Sequence, residues 1–400
     1  MRAYGEVLQA PGVARIMTAQ LVARFPQGMY SLGLLLHVER TFDSYAAAGL
    51  VLAALSIGQG VAGPLTTRWM SRWGTRPVLL LTLVVAAASI LTIALVPLSL
   101  LAMTGIGAIA GLAMPPITPA VRTLYPTMVT QRLLTRLFSL DATLQEIIWV
   151  VGPVAITFIS TQVGTVEGLV TAAAVQLLGG LWFILSPEVG RMRIPPSAKR
   201  IGGVLRKVPV VLVVVTGMLL IGGFAASEAA VVSVFGHDGF EAGMVIAANA
   251  FGSLVGGLAL GGVTIHRRSL AIRIAVCAVG FGLACLILDF WWLALMFFLA
   301  GIGIAPALSA MSSIVAATVK FSDTPEAYGW IGSGQLIGAA VGSAVAGILI
   351  DWQGPIGGFA VAFVLASAAA IVAWALRSRQ PDLTQGIGEP PETAPVELPR

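Results

Sequence analysis

Residues 48–63 read AGLVLAALSIGQGVAG, and residues 242–257 read AGMVIAANAFGSLVGG. The two align without a gap, Ala48 on Ala242 through Gly63 on Gly257, at an offset of 194 residues. A second pair, GLAMPPITPA at 111–120 and GIGIAPALSA at 301–310, sets Pro116 on Pro306. A third, QEIIWVVG at 145–152, matches QLIGAAVG at 335–342, and both of these pairs lie 190 residues apart. Three matches in chain order at nearly constant offset describe a chain whose second half repeats its first.

The repeat is built from membrane-length units. A chain that is 57% hydrophobic and 10% charged, with mean hydropathy +0.93, has too little polar surface to cover a soluble globule. Apolar blocks near the ~20 residues needed to cross a bilayer recur at 14–37, 45–66, 77–96, 98–121, 138–160, 165–186, 209–235, 241–264, 270–288, 291–315, 327–350 and 355–376. We number these spans 1 to 12. Backbone amides in lipid must be satisfied within the segment, so the spans are helices, and the short alternating stretches of a barrel are absent.

Charge alternates by side. Arg68, Arg72, Arg76, Arg122, Arg132, Arg136, Arg191, Arg193, Lys199, Arg200, Arg206, Lys207, Arg267, Arg268, Arg273 and Lys320 fall in one set of loops. The other set carries Glu39, Asp43, Glu167, Asp238, Glu241, Asp289 and Asp351, with Arg40 as its one cation. Positive residues stay inside, which puts both termini in the cytoplasm of a multi-pass protein of the plasma membrane. The net charge of +5 is then explained by an anionic leaflet rather than by nucleic acid. Cys277 and Cys285 share one apolar span and read as small buried hydrophobes. No metal-spaced Cys/His cluster and no phosphate-binding G-x-x-x-x-G-K-[ST] loop occur, so no cofactor and no direct use of ATP are expected. The expected organisation is a six-helix bundle over 1–186, a basic cytoplasmic linker over 187–207, a second bundle over 208–376 and a disordered tail over 377–400. Two such halves about a linker are an architecture in which bundles rock around a midplane site.

The loop after span 2 reads Thr67-Arg68-Trp69-Met70-Ser71-Arg72-Trp73-Gly74-Thr75-Arg76. It resembles the G-x-L-x-D-[RK]-x-G-[RK]-[RK] turn of the major facilitator superfamily at Arg72, Gly74 and Arg76. It departs from that turn at Thr67, Trp69, Ser71 and Thr75. Gly152-Pro153 in span 5 is similar to the glycine-proline element of proton-coupled exporters in that family. Over 10–380 the chain resembles its bacterial twelve-span efflux members. The resemblance implies an all-helical fold of two six-helix bundles, with spans 2, 5, 8 and 11 sliding between halves. It also implies alternating access and an antiporter exchanging protons for a small molecule, with no enzymatic activity. In the family the turn's carboxylate helps lock the outward-facing state. With Ser71 in its place, that latch is either weakened or supplied elsewhere, Asp141 being the candidate.

Three ionisable residues lie deep in apolar spans, where each costs about 2.5–3.5 kcal/mol on insertion scales. Arg24 in span 1 and Glu146 in span 5 sit at similar depth, ~15 Å from the cytoplasmic edge at 1.5 Å per residue, and are expected to pair. Glu228 in span 7 has no cation in register, which makes it the proton carrier or a cation site. Gln20, Gln27, Tyr30, Gln59, Asn249 and Gln335 are candidates to line the path, with Phe224 and Trp330 contributing an apolar wall. Interhelical hydrogen bonding is the ordinary alternative for each polar residue. The residues point to proton-coupled export of a small, partly hydrophobic compound by a monomer in the bilayer. Facilitative or uptake carriage of a polar metabolite or organic anion, with Arg24 as ligand, is the nearest rival. A lipid flippase or a non-transporting receptor is the rival from another class.

Overall fold

The computed structural model describes residues 2–195, 200–236, 240–260 and 263–384. Among them the chain is helical, with one isolated bridge between Ile265 and Leu383. Ten helices among the described residues are long and apolar enough to cross a membrane. The two expected spans that depart from this are the first and the ninth. Span 1 is two helices, Val13–Arg24 and Gln27–Phe42, meeting at Phe25-Pro26. Span 9 is the shorter helix Ser269–Ala284.

Local chemistry sets the ends. Ser44, Ser99 and Asp289 accept backbone N–H groups in the first turns of spans 2, 4 and 10, satisfying donors the helix leaves orphaned. Gly74, at φ 92°, makes the turn between spans 2 and 3 in a backbone region that side chains avoid. Proline breaks one helix and spares its repeat. In span 4, Pro115 and Pro116 lack two consecutive N–H groups and push the residues before them out of helical geometry. The span therefore divides into Leu100–Leu112 and Ile117–Met128. In span 10 the counterpart of Pro115 is Ala305, and with Pro306 alone the helix runs on as Phe290–Thr318.

Packing repeats with the sequence. Span 2 packs on span 4 as span 8 packs on span 10, span 1 on span 5 as span 7 on span 11, and span 3 on span 6 as span 9 on span 12. Two six-helix bundles result. The G-x-x-x-G of span 11 works inside the second bundle. A Cβ on Gly338 would run into the carbonyl of Met218, and one on Gly342 into that of Gly222, so spans 7 and 11 touch backbone to backbone.

The halves meet through spans 2 and 11 and through span 5 against spans 8 and 10. These contacts run from the arginine-rich end to about mid-helix. Gly63 abuts Gly329, Ser333 Oγ donates to Gly60 O at 2.5 Å, and Ser139 Oγ donates to Gly257 O at 2.8 Å. A short N-terminal helix not foreseen from sequence, Arg2–Gln9, reaches across this closed end, its Tyr4 hydroxyl donating to Gly257 O at 2.7 Å. Toward the other end, span 5 leaves Val154 and Phe158 exposed and span 11 leaves Val345 and Ile348 exposed.

The linker carries local structure, and so does the start of the tail. Pro187–Arg191 and Gly203–Arg206 form helical turns, and 196–199 lie outside the described residues. The tail expected to be loose from 377 is held through Thr384. Gln380 Nε2 donates to Ala373 O at 2.8 Å, and Leu383 is buried opposite Ile265. Residues 385–400 lie outside the described residues, as does Asp238.

Candidate functional site

The polar interior of the first half converges on Asp141. Span 5 starts at Gln131, seven residues before its expected edge, so Asp141 stands well inside the helix instead of at its mouth. Its carboxylate is fully buried. Oδ1 accepts from Arg24 Nη1 at 3.3 Å, Gln20 Nε2 at 3.2 Å and the Tyr125 hydroxyl at 3.0 Å, while Oδ2 accepts from Arg122 Nε at 3.1 Å. Gln145 Oε1 receives Arg24 Nη2 and, at 3.5 Å, Arg122 Nη2.

The expected Arg24–Glu146 pair is therefore corrected. Arg24 pairs with Asp141, about one turn nearer the arginine-rich end, because span 5 begins early, at Gln131, which brings Asp141 rather than Glu146 to the depth of Arg24 on Val13–Arg24. Arg122, counted above among the loop cations, lies on Ile117–Met128 and is buried. Two guanidiniums thus share one carboxylate, which leaves an excess positive charge. Arg24 Nε is buried without a hydrogen-bond partner among the described residues. Removing an acid from such a setting is costly, because uncompensated buried charge has no water to turn to.

Glu146 faces the other half. Ser253 Oγ donates to its Oε1 at 2.8 Å and accepts Ala305 N–H at 3.2 Å, so one hydroxyl ties spans 5, 8 and 10 together at the seam. Glu228, on Val208–Phe235, is partly exposed and has neither ion pair nor hydrogen bond among the described residues. Phe224 lies one helical turn before it on the same face.

The remaining sequence candidates divide. Gln20 belongs to the Asp141 cluster, Tyr30 donates to Gln176 Oε1 at 2.6 Å, and Asn249 donates to Phe297 O at 3.0 Å. All three are buried within their own halves and line no opening. Gln27, Gln59, Gln335 and Trp330 are partly exposed, Gln335 lying beside Gly217 of span 7. Gly152 and Gly28 bring spans 5 and 1 into backbone contact just beyond the break, a packing role for the Gly152-Pro153 element.

The turn after span 2 is latched by a residue the sequence reading missed. Arg68 Nη1 meets Glu326 Oε2 at 3.0 Å across the halves, and Glu326 Oε1 also accepts Gly202 N–H at 2.7 Å and Trp330 Nε1 at 3.4 Å. The latch thus has its acid on span 11. Asp141, the sequence candidate for it, is committed to the two arginines. Ser71 turns back on Arg68 O at 2.8 Å, and Arg72 is exposed. Arg76 donates to Ile184 O at 2.9 Å and Ser186 O at 3.0 Å, capping span 6 in its own half. An acid in the first turn of a helix, at the end where cations dominate, was the signal for Glu326.

A family model described as the Major Facilitator Superfamily matches residues 16–288 and 223–398. No curated protein sequence matches the chain. Among solved structures, the human organic anion transporter MFSD10 (TETRAN) is similar at TM-score 0.71 and 17% identity, over 91% of this chain and 100% of that one. A bacterial homologue of the iron transporter ferroportin, in its outward-facing state with soaked iron, is similar at TM-score 0.73 and 14% identity, over 92% and 99%. At such identities these likenesses concern the fold.

Proposed function

The chain belongs to the major facilitator superfamily, and from that premise we propose a twelve-span, proton-coupled exporter of small, partly hydrophobic organic compounds. Membership makes it a multi-pass secondary transporter. In our reading it works as a monomer in the plasma membrane, both termini cytoplasmic, by alternating access. The observation that carries the coupling is a contrast among three membrane carboxylates. Asp141 is neutralised in place by Arg24 and Arg122, whereas Glu146 and Glu228 have no ion pair among the described residues and are the groups we assign to proton exchange. Glu146 sits where the halves close, so parting spans 5 and 8 removes its Ser253 hydrogen bond and ties its proton to the conformational cycle. Glu228, with Phe224 beside it, supplies an acidic and apolar surface of the kind an amphiphilic substrate needs. Gln27, Gln59, Gln335 and Trp330 are the further lining candidates.

A second reading, facilitative carriage of an organic anion, draws on the excess positive charge of the Arg24–Arg122–Asp141 cluster. It ranks second because both guanidiniums are buried in this conformation.

The test uses proteoliposomes with an imposed pH gradient and an internal pH-sensitive dye. Small organic cations, neutral amphiphiles and organic anions are added in turn. Proton movement triggered by cations or amphiphiles, abolished in Glu228→Gln or Glu146→Gln, supports the exporter. Substrate flux that ignores the gradient in wild type as in both variants, and runs only with anions, replaces it with the second reading.

A further inference from the structure

A groove of about 190 Å³ lies on the outer surface of the second half, between the arginine-rich ends of spans 7 and 12. Its walls are Leu205, Val211 and Val215 on one side and Val372 and Leu376 on the other, with Arg206 as its one charged lining residue. Span 7 begins at Val208, so the groove descends about two turns, ~10 Å, from the membrane surface into the hydrocarbon. Its surroundings face lipid, since Val208, Val211, Ile371 and Trp374 are all exposed apolar side chains.

Charge gathers at its mouth. Arg206 is exposed and has no hydrogen-bond or ion-pair partner among the described residues. On the span 12 side, the residue after Leu376 is Arg377, whose guanidinium carbon stands 4.9 Å above the Trp374 ring. Arg268 stacks on the same ring at 5.4 Å. A tryptophan flanked by two guanidiniums at a span end marks the headgroup level, where indole and cation both find favourable contacts. The one acid described on this strip, Asp382, is turned to the Thr384 amide and lies near Arg267 and His266.

We propose that this groove is a binding site for an anionic phospholipid. One acyl chain lies in the apolar slot between spans 7 and 12, and the phosphate is met by Arg206 and Arg377. A soluble anion would find cations there but no use for the slot. A zwitterionic lipid would fill the slot but bring no net charge to the arginines. The site does not depend on the substrate or coupling ion proposed above.

Delipidated full-length protein in detergent is titrated with phosphatidylglycerol, phosphatidylcholine or inorganic phosphate, and binding is followed by native mass spectrometry and by thermal unfolding. Wild type should prefer phosphatidylglycerol over phosphatidylcholine by roughly 30-fold, the expectation for two interfacial arginines, with a higher midpoint in the anionic lipid and no response to phosphate. Arg206→Gln with Arg377→Gln should erase that preference. Val211→Trp, which fills the slot and keeps both charges, should weaken the anionic lipid as well. Arg40→Gln, at the opposite end of the molecule, should change nothing. All these side chains are at least partly exposed, so midpoints without lipid should match wild type. Equal binding of both lipids, a preference that survives the arginine changes, or a response to phosphate alone overturns the site.

Discussion

The two halves share one plan and differ in what they enclose. Each packs its six spans in the same partnerships, yet the first interrupts two helices near the middle of the bundle where the second runs them through. Phe25-Pro26 divides span 1, while its counterpart span 7 carries its one proline, Pro209, at the helix start and continues from Val208 to Phe235. Pro115-Pro116 divides span 4, where span 10 has Ala305-Pro306 and runs unbroken. The first half fills its broken middle with an ionic cluster that occupies both oxygens of Asp141. In the second half Glu228 has no partner among the described residues, and the buried Arg273 is met by a backbone carbonyl, Pro306 O at 2.8 Å. A repeated backbone plan thus carries two different polar interiors. One is braced, and the other keeps an acid available.

The largest effect should come from removing the brace. Asp141→Asn leaves Arg24 and Arg122 buried against each other without an acid, a loss of about 3–5 kcal/mol in unfolding stability. Glu228→Gln, which removes a charge that nothing pairs, should move the thermal midpoint little while abolishing gradient-driven transport. Equal destabilisation by the two would erase the contrast between the halves.

A smaller loss tests whether the second half owes its continuity to close backbone packing. Gly338→Val drives a side chain into the Met218 carbonyl and should cost about 1–3 kcal/mol, the range for overpacking. Gly49→Ala in the first half is the control, since nothing lies within 4 Å of the added carbon. A thermal midpoint that does not separate the two variants would show that span 7 is not held by contact with span 11.

The smallest effect concerns the boundary between the halves. Glu326→Gln weakens a charged contact with Arg68 that is partly exposed on the arginine side only; the contact is worth about 1 kcal/mol, and its loss should shift closure at the arginine-rich end by roughly fivefold. A cysteine at Ser333, buried on the seam, reports this as faster labelling by a thiol reagent. Reversing the pair with Arg68→Glu and Glu326→Arg should slow labelling again. If reversal leaves it fast, the latch lies elsewhere.

Much of this architecture is legible in the sequence. Hydropathy and the offset repeats mark membrane helices and two related halves, because a bilayer demands length and apolarity that composition alone can report. The division of span 4 has a purely local cause, the loss of adjacent N–H donors at Pro115 and Pro116. The candidate site was less legible. The depth of Glu146 and Glu228 could be read along the chain, but Asp141 looked like a helix end, Arg122 like a loop charge, and Glu326 was not singled out. A shift of seven residues at the start of span 5 was enough to hide the acid that both arginines use.

Span positions, sidedness of charge and the internal repeat were set by the sequence itself, since each is a property of residues near one another in the chain. Partner choice was not. Which acid meets Arg24, whether Tyr30 and Asn249 face a cleft or a neighbouring helix, and which residue latches Arg68 depend on the rotation of each helix about its axis. That rotation follows from how whole faces pack. Backbone contacts such as Gly338 on Met218 and Gly28 on Gly152 lock one register at the expense of others. Only tertiary packing brings residues from spans 1, 4 and 5 to a single carboxylate.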